Sequence, residues 1–177
     1  LSLPKVLKAG GIDIAWKSGP SGICVFEDRP LFFLLSPSQL LNFPLPGGLY
    51  LVDAPLSLPG EKGLRQVDRL LRRLTGIAVL PLNPSLLPGY LPLEFIRLQK
   101  GSVFLEGFVP YLRAKFLGRA KFRRVLEYRQ RFREAFGFLP SPPSPHLMDA
   151  YLLCLRAKDI MEGRGIALVA GDGKIYL

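Results

Sequence analysis

"LYLVDAPLSLP", Leu49 to Pro59, reads as a strand that runs into a turn, with Asp53 set in its apolar run. A carboxylate in such a setting loses much of its hydration, which is costly unless something pairs with it. Three other acids share the setting: Asp13 in "GIDIAW", Glu106 in "VFLEGFVP" and Asp149 in "HLMDAYLL". The first two, like Asp53, fall on predicted strands, and Asp149 falls on a predicted helix. Most of the remaining acids, among them Glu27, Asp28, Glu61, Asp159, Glu162 and Asp172, lie beside other charges or in turns. Glu94 in "LPLEFIRL" reads as the exposed face of a short helix.

Outward from Asp53 the pattern alternates. "GGIDIAW", "SGICVFED" and "PLFFLLS" read as three strands in a meander, the first two joined through the turn "KSGPSG". Ser36 is placed to cap a short helix with Pro37 at its first position. "GLYLVDAPL" is the fourth strand. Leu64, Val67, Leu70, Leu71 and Leu74 follow at helical spacing, and Gly76 stops that helix. Residues 77–93 read as a structured loop rich in Pro and Leu, and "SVFLEGFV" is the fifth strand. The basic stretch beyond it predicts a short helix, a break at Gly118 and a longer helix over about 119–136, with Phe122, Leu126, Phe132 and Phe136 as its apolar stripe. "PHLMDAYLLCLRAKDIM" is the last helix, and "GIALVAGDGKIYL" is a closing hairpin with its turn at "GDG". The order predicts an α/β fold: a mixed five-stranded sheet, a three-strand meander plus parallel strands, with helices on both faces.

A chain of 177 residues that is 49% hydrophobic suits a single folded domain over 1–177. No apolar run is long enough to cross a bilayer, and "LSLPKVLKAGG" lacks an apolar core of signal-peptide length. No membrane partner is expected, and the expected location is the cytoplasm. Cys24 and Cys154 read as buried free thiols; with His146 as the single histidine they do not make a zinc site.

The net charge of +10 points to a polyanionic partner. Between Tyr111 and Phe136 stand nine cations, Arg113, Lys115, Arg119, Lys121, Arg123, Arg124, Arg129, Arg131 and Arg133, against only Glu127 and Glu134. This region is the expected contact with nucleic acid, either DNA or RNA.

Four carboxylates packed together would repel, and some would take up protons. A bound Mg²⁺ or Mn²⁺ removes the conflict, because hard cations prefer oxygen ligands. Two such ions ~3.5–4 Å apart activate water and stabilise the leaving oxygen in phosphodiester cleavage. Asp13, Asp53, Glu106 and Asp149 are therefore the candidate metal ligands and catalytic acids. Together with the basic region they point to a metal-dependent nuclease.

The chain resembles the ribonuclease H-like superfamily. More closely, it resembles the family catalogued as domain of unknown function 429, described as nucleases of that fold. "GIDIAW", "VDAPLSLP", "RQVD" (Arg65 to Asp68), "VFLEGFVP" and "HLMDAYLLCLRA" fall in that family's order along nearly the whole chain. His146, Asp149 and Ala150 also match the last helix of RuvC-like nucleases, and "DAYL" resembles the RuvC-type domain of CRISPR effector nucleases. The resemblance implies a ribonuclease H-like sheet and a two-metal site, with His146 beside Asp149 on one helical face and Arg65 on phosphate. Superfamily members differ over which strand supplies the middle acid, so Asp53 and Glu106 both stand as candidates.

A binding module that holds nucleic acid without metal or cleavage is the rival reading. A sugar-kinase or actin-like ATPase, which also begins with a strand like "GID", needs two such domains and a tight phosphate loop that "AWKSGPSG" does not provide.

Overall fold

Only glycine lets the first strand, β1 (Lys8–Asp13), lie directly against the last helix, α6 (Pro145–Met161). A Cβ at Gly11 would stand 2.0 Å from the carbonyl oxygen of Ala150 and 2.4 Å from the amide of Cys154. Gly22 does the same in the second strand, β2 (Ser21–Phe26), where a Cβ would meet the carbonyl of His146 at 2.3 Å. These close approaches press the start of α6 onto the end of β1, next to Asp13.

The computed structural model describes residues 7–59, 61–83, 85 and 89–177. Parts of the N-terminal stretch and of the Pro/Leu-rich loop lie outside the described residues. After β2 come β3 (Pro30–Leu35), α1 (Pro37–Leu41), β4 (Gly48–Val52), α2 (Gln66–Thr75), α3 (Leu91–Leu98) and β5 (Val103–Glu106). Then follow α4 (Val109–Leu117), α5 (Val125–Phe136), α6, and the hairpin β6 (Ala167–Ala170) and β7 (Gly173–Tyr176). Five strands form one mixed sheet in the order β3-β2-β1-β4-β5. β1, β2 and β3 pair antiparallel, while β4 lies parallel to both β1 and β5. The sheet, the meander and the closing hairpin are those the sequence predicts.

Strand periodicity divides the core. Ala9, Cys24 and Leu51 face one side, where α4, α5 and α6 supply Leu112, Phe132, Leu152 and Leu153. Ile12, Ile23, Tyr50 and Val52 face the other, against Leu40 of α1 and Leu91 and Phe95 of α3. α2 packs Val67 and Leu71 onto Ile175 of the hairpin. The carboxylate of Asp172, in the hairpin turn, accepts from the amide of Val67 at 3.1 Å and from that of Gln66. A charge distant in sequence thus caps the start of α2. Cys24 and Cys154 are buried and free.

Local signals act as expected in α1, where Ser36 caps and Pro37 opens the helix, and in α2, where Gly76 ends it at φ 69°. The basic stretch differs. Gly118 ends α4 at φ 79°, but α5 begins only at Val125. Residues 119–124 fold back instead: Phe122 stacks on Tyr128 at 4.9 Å between ring centroids, and Arg119 pairs with Glu127. The later start changes which residues face inward. Tyr128 and Phe132 are buried, whereas Leu126, expected in the apolar stripe, is 74% exposed.

Candidate functional site

Asp13 ends β1 and Asp53 directly follows β4. The two strands are parallel neighbours, with Ile12 opposite Val52 and the amide of Asp53 donating to the carbonyl of Ile12 at 2.9 Å. Ile12 and Val52 both face the α3 side, so by alternation Asp13 and Asp53 project together toward α6. α6 brings two residues to meet them. Ser144 caps the helix and Pro145 opens it, which sets His146 in the first turn and Asp149 one turn on. The Nδ1 of His146 lies 2.6 Å from a carboxylate oxygen of Asp13.

Asp149 is 4% exposed, and both its oxygens are engaged. Arg113 of α4 reaches it as a fork, Nε to Oδ1 at 2.9 Å with a second bond from Nη2 to Oδ2. Tyr128 of α5 donates its hydroxyl to the same Oδ1. The guanidinium of Arg113 also sits 5.0 Å from the centre of the Tyr128 ring. Asp53 has the thinnest support of the three aspartates: its Oδ1 accepts the amide of Val109 at 3.1 Å.

The charges are felt across the group. Burial, and then the neighbouring charges of Asp13 and Asp149, push Asp53 up to about 8 despite the Val109 amide and Arg113. Burial pushes Asp149 up to about 6, with Asp13 adding to the rise and Arg113 and Tyr128 opposing it. The hydrogen bond to Asp13 raises His146 above the usual histidine range, against the effect of burial. Three aspartates from two strand ends and one helix thus share one arginine and one histidine as their cations.

Glu106 does not join them. It ends β5 opposite Val52, and so points to the side of the sheet on which Val52 and Phe104 lie. The residue one further on, Gly107, has no side chain to offer. The carboxylate of Glu106 is instead bound bidentately by Arg65 and accepts the amide of Leu56 at 2.9 Å. Arg65 also bonds Asp68 through Nε at 2.9 Å and Nη2 at 2.8 Å, and Ser57 through Nη1 at 3.0 Å. This i,i+3 pair is buried: Arg65 is 1% exposed and Asp68 2%. Arg65 is thus turned inward, away from any phosphate outside. Burial still pushes Glu106 up, and Arg65 holds it back.

The other basic candidates divide. Arg113 belongs to Asp149. Lys115 is exposed, and Arg119 is exposed but paired with Glu127. Lys121, Arg123 and Arg124 are exposed and enter no salt bridge among the described residues. Phe122, between them, is anchored on Tyr128, which bonds Asp149. Contacts from Phe122 through Tyr128 thus tie this segment to Asp149.

Sequence reasoning missed Tyr128 and the fork of Arg113 on Asp149. The spacing of Tyr128, Phe132 and Phe136 at i, i+4 and i+8 carried the first signal. Nothing in the local sequence carried the second, because Arg113 and Asp149 meet across two helices.

Oxygen-rich donors of this kind suit a hard divalent cation. As the side chains stand, no three His, Cys, Asp or Glu residues among those described are grouped to hold one ion. Asp149 in particular is occupied by Arg113. No helix of the described residues is long and apolar enough to cross a membrane. No family model, curated protein or solved structure matches this chain.

Proposed function

We propose that the chain is a ribonuclease H-like, metal-dependent nuclease that hydrolyses phosphodiester bonds in DNA or RNA. One observation carries the reading. Asp13, Asp53 and Asp149 come from β1, the end of β4 and α6 and face one another with too little positive charge to balance them. Such an arrangement raises the energy of the free protein and favours uptake of a cation. The sheet order and the exposed cations at Lys121, Arg123 and Arg124 support it.

Asp13, Asp53 and Asp149 would hold Mg²⁺ or Mn²⁺, which supplies Lewis acidity and an activated water when bound. Glu106 is left out of the ligand set because Arg65 engages both its oxygens. Arg113 stands in for a cation at Asp149 and must release it before that carboxylate can ligate. Once released, its guanidinium is free for phosphate. His146, held on Asp13 and half-exposed, is the acid placed to protonate a leaving oxygen. Lys121, Arg123 and Arg124 hold the strand by its phosphates.

The fork of Arg113 also favours a second reading, a binding module without cleavage in which Arg113 permanently replaces the metal. A cleavage screen on single-stranded, duplex and branched DNA and RNA, with Mn²⁺ and with Mg²⁺, separates the two. Metal-dependent cleavage that disappears in Asp13→Asn supports the nuclease. Binding of the same substrates with no cleavage under either metal supports the module.

A further inference from the structure

A cavity of about 220 Å³ opens beside Asp53 and shares that residue with the aspartate site. Its wall is largely apolar: Trp16 and Phe108 supply aromatic surface, and Leu71, Val79, Leu82 and Ile175 aliphatic surface. Nothing in the site described above uses it. We infer that this cavity takes the base of an unpaired nucleotide next to the phosphate held at the aspartates, an inference that rests on the nuclease reading.

Charge excludes a phosphate from the cavity itself. Asp53, Asp68 and Glu106 are three carboxylates in the wall against one guanidinium, Arg65. All five N–H donors of Arg65 are engaged by Asp68, Glu106 and Ser57. The occupant is therefore not an anion, and a nucleobase meets that condition. Size limits it further: pockets for drug-sized ligands measure about 300–1,000 Å³, so this one suits a single ring system rather than a whole nucleotide.

Trp16 is prepared as a stacking surface. Its carbonyl accepts the amide of Leu91 at 2.8 Å, and its ring meets Tyr90 edge-on, with 6.0 Å between centroids and planes 78° apart. Tyr90 is in turn fixed by a 2.8 Å hydrogen bond to the carbonyl of Pro55. An aromatic ring held in place binds the face of a base at small entropic cost and tolerates different bases. Trp16 and Asp53 line the same cavity, so a nucleotide with its phosphate at the aspartates has its base directed to Trp16. A base stacked and paired in a duplex cannot enter, which favours single-stranded or unpaired substrate.

Trp16 is the only tryptophan of the chain, so its fluorescence reads the cavity directly. The full chain, without metal, is titrated with adenosine, cytidine and uridine and, as a control, ribose 5-phosphate. The expected result is saturable quenching by the nucleosides and none by ribose 5-phosphate. Ala78 lines the cavity yet is exposed, so Ala78→Phe fills the space from the rim. That variant should weaken nucleoside binding at least about tenfold while its circular dichroism stays unchanged. Movement of the Trp16 indole N–H resonance in the wild-type chain gives the same answer without a variant. Quenching by ribose 5-phosphate alone, or no response to any nucleoside at millimolar concentration in both measurements, overturns the inference. Cleavage without nucleoside binding would remove the base pocket and leave the nuclease reading. Nucleoside binding without cleavage would leave the pocket and remove the nuclease.

Discussion

Two groups of carboxylates stand at the same end of the sheet, and they differ in how they are neutralised. Asp68 and Glu106 close on Arg65, which is almost wholly buried and matches them donor for acceptor. Asp13, Asp53 and Asp149 share Arg113 and His146, and Asp53 is left with one backbone amide. Both groups carry aspartate or glutamate at strand ends. The first is a completed ion cluster with nothing left to offer a ligand. The second leaves Asp53 without a cation of its own, and Asp53 borders a base-sized cavity. The difference teaches that a buried acid marks a reactive site only when its partners fall short.

The comparison breaks most sharply at Arg65. Arg65→Ala leaves two carboxylates buried without their cation and should cost about 3–5 kcal/mol of stability. Denaturant unfolding measures it, and a loss below about 1 kcal/mol would mean that the cluster is not the closed unit described.

Arg113→Ala should cost less, about 1–3 kcal/mol, because Tyr128 still bonds Asp149 and the site is partly open. It should also sharpen the contrast. With Arg113 gone Asp149 loses its guanidinium, so Mn²⁺ should raise the melting temperature more in Arg113→Ala than in the wild type. Equal gains in paired melting curves would show that Arg113 does not compete with the ion.

Asp53 provides a test in pH. Its folded value, pushed to about 8, exceeds the value of 3.8 for the free side chain. Between the two the folded protein binds the extra proton, so the contribution of Asp53 to stability is complete below about pH 4. It is lost as the pH rises through about 8. Asp53→Asn keeps an acceptor for the Val109 amide and has no proton to lose. The variant should therefore gain on wild type as the pH rises from about 4 to about 8. Parallel stability curves for the two proteins across this range would remove Asp53 from the under-neutralised group. The same variant should lose most of its stabilisation by Mn²⁺ if Asp53 is a ligand.

The smallest effect on stability is expected at Arg123 and Arg124, within about 0.5 kcal/mol for the double alanine variant. Binding is where they should register. If about five basic side chains contact duplex DNA, log affinity falls against log salt with a slope near −4 to −5, and the double variant should flatten it by roughly 2. An unchanged slope would assign nucleic-acid contact elsewhere.

Much of this was legible in the chain itself. Apolar periodicity, Ser36–Pro37, Gly76, Gly118 and the "GDG" turn are local signals, and local sterics and hydrogen bonding decide helix ends and hairpins. Asp13, Asp53 and Asp149 stood out because an acid in an apolar run is costly wherever the run ends up. Glu106 stood out for the same reason, yet its role turned on strand register. One residue along a strand reverses the face, and only the pairing of Glu106 with Val52 set it toward Arg65 rather than toward the aspartates. Leu126 and Tyr128 exchanged places for a kindred reason: a start at Val125 set the phase of α5, and stacking of Phe122 on Tyr128 accompanies that start. Whether a charge is balanced depends on partners 36 or 41 positions away, as for Arg113 with Asp149 and Arg65 with Glu106. No local preference encodes such meetings, because they exist only once the helices have packed on the sheet.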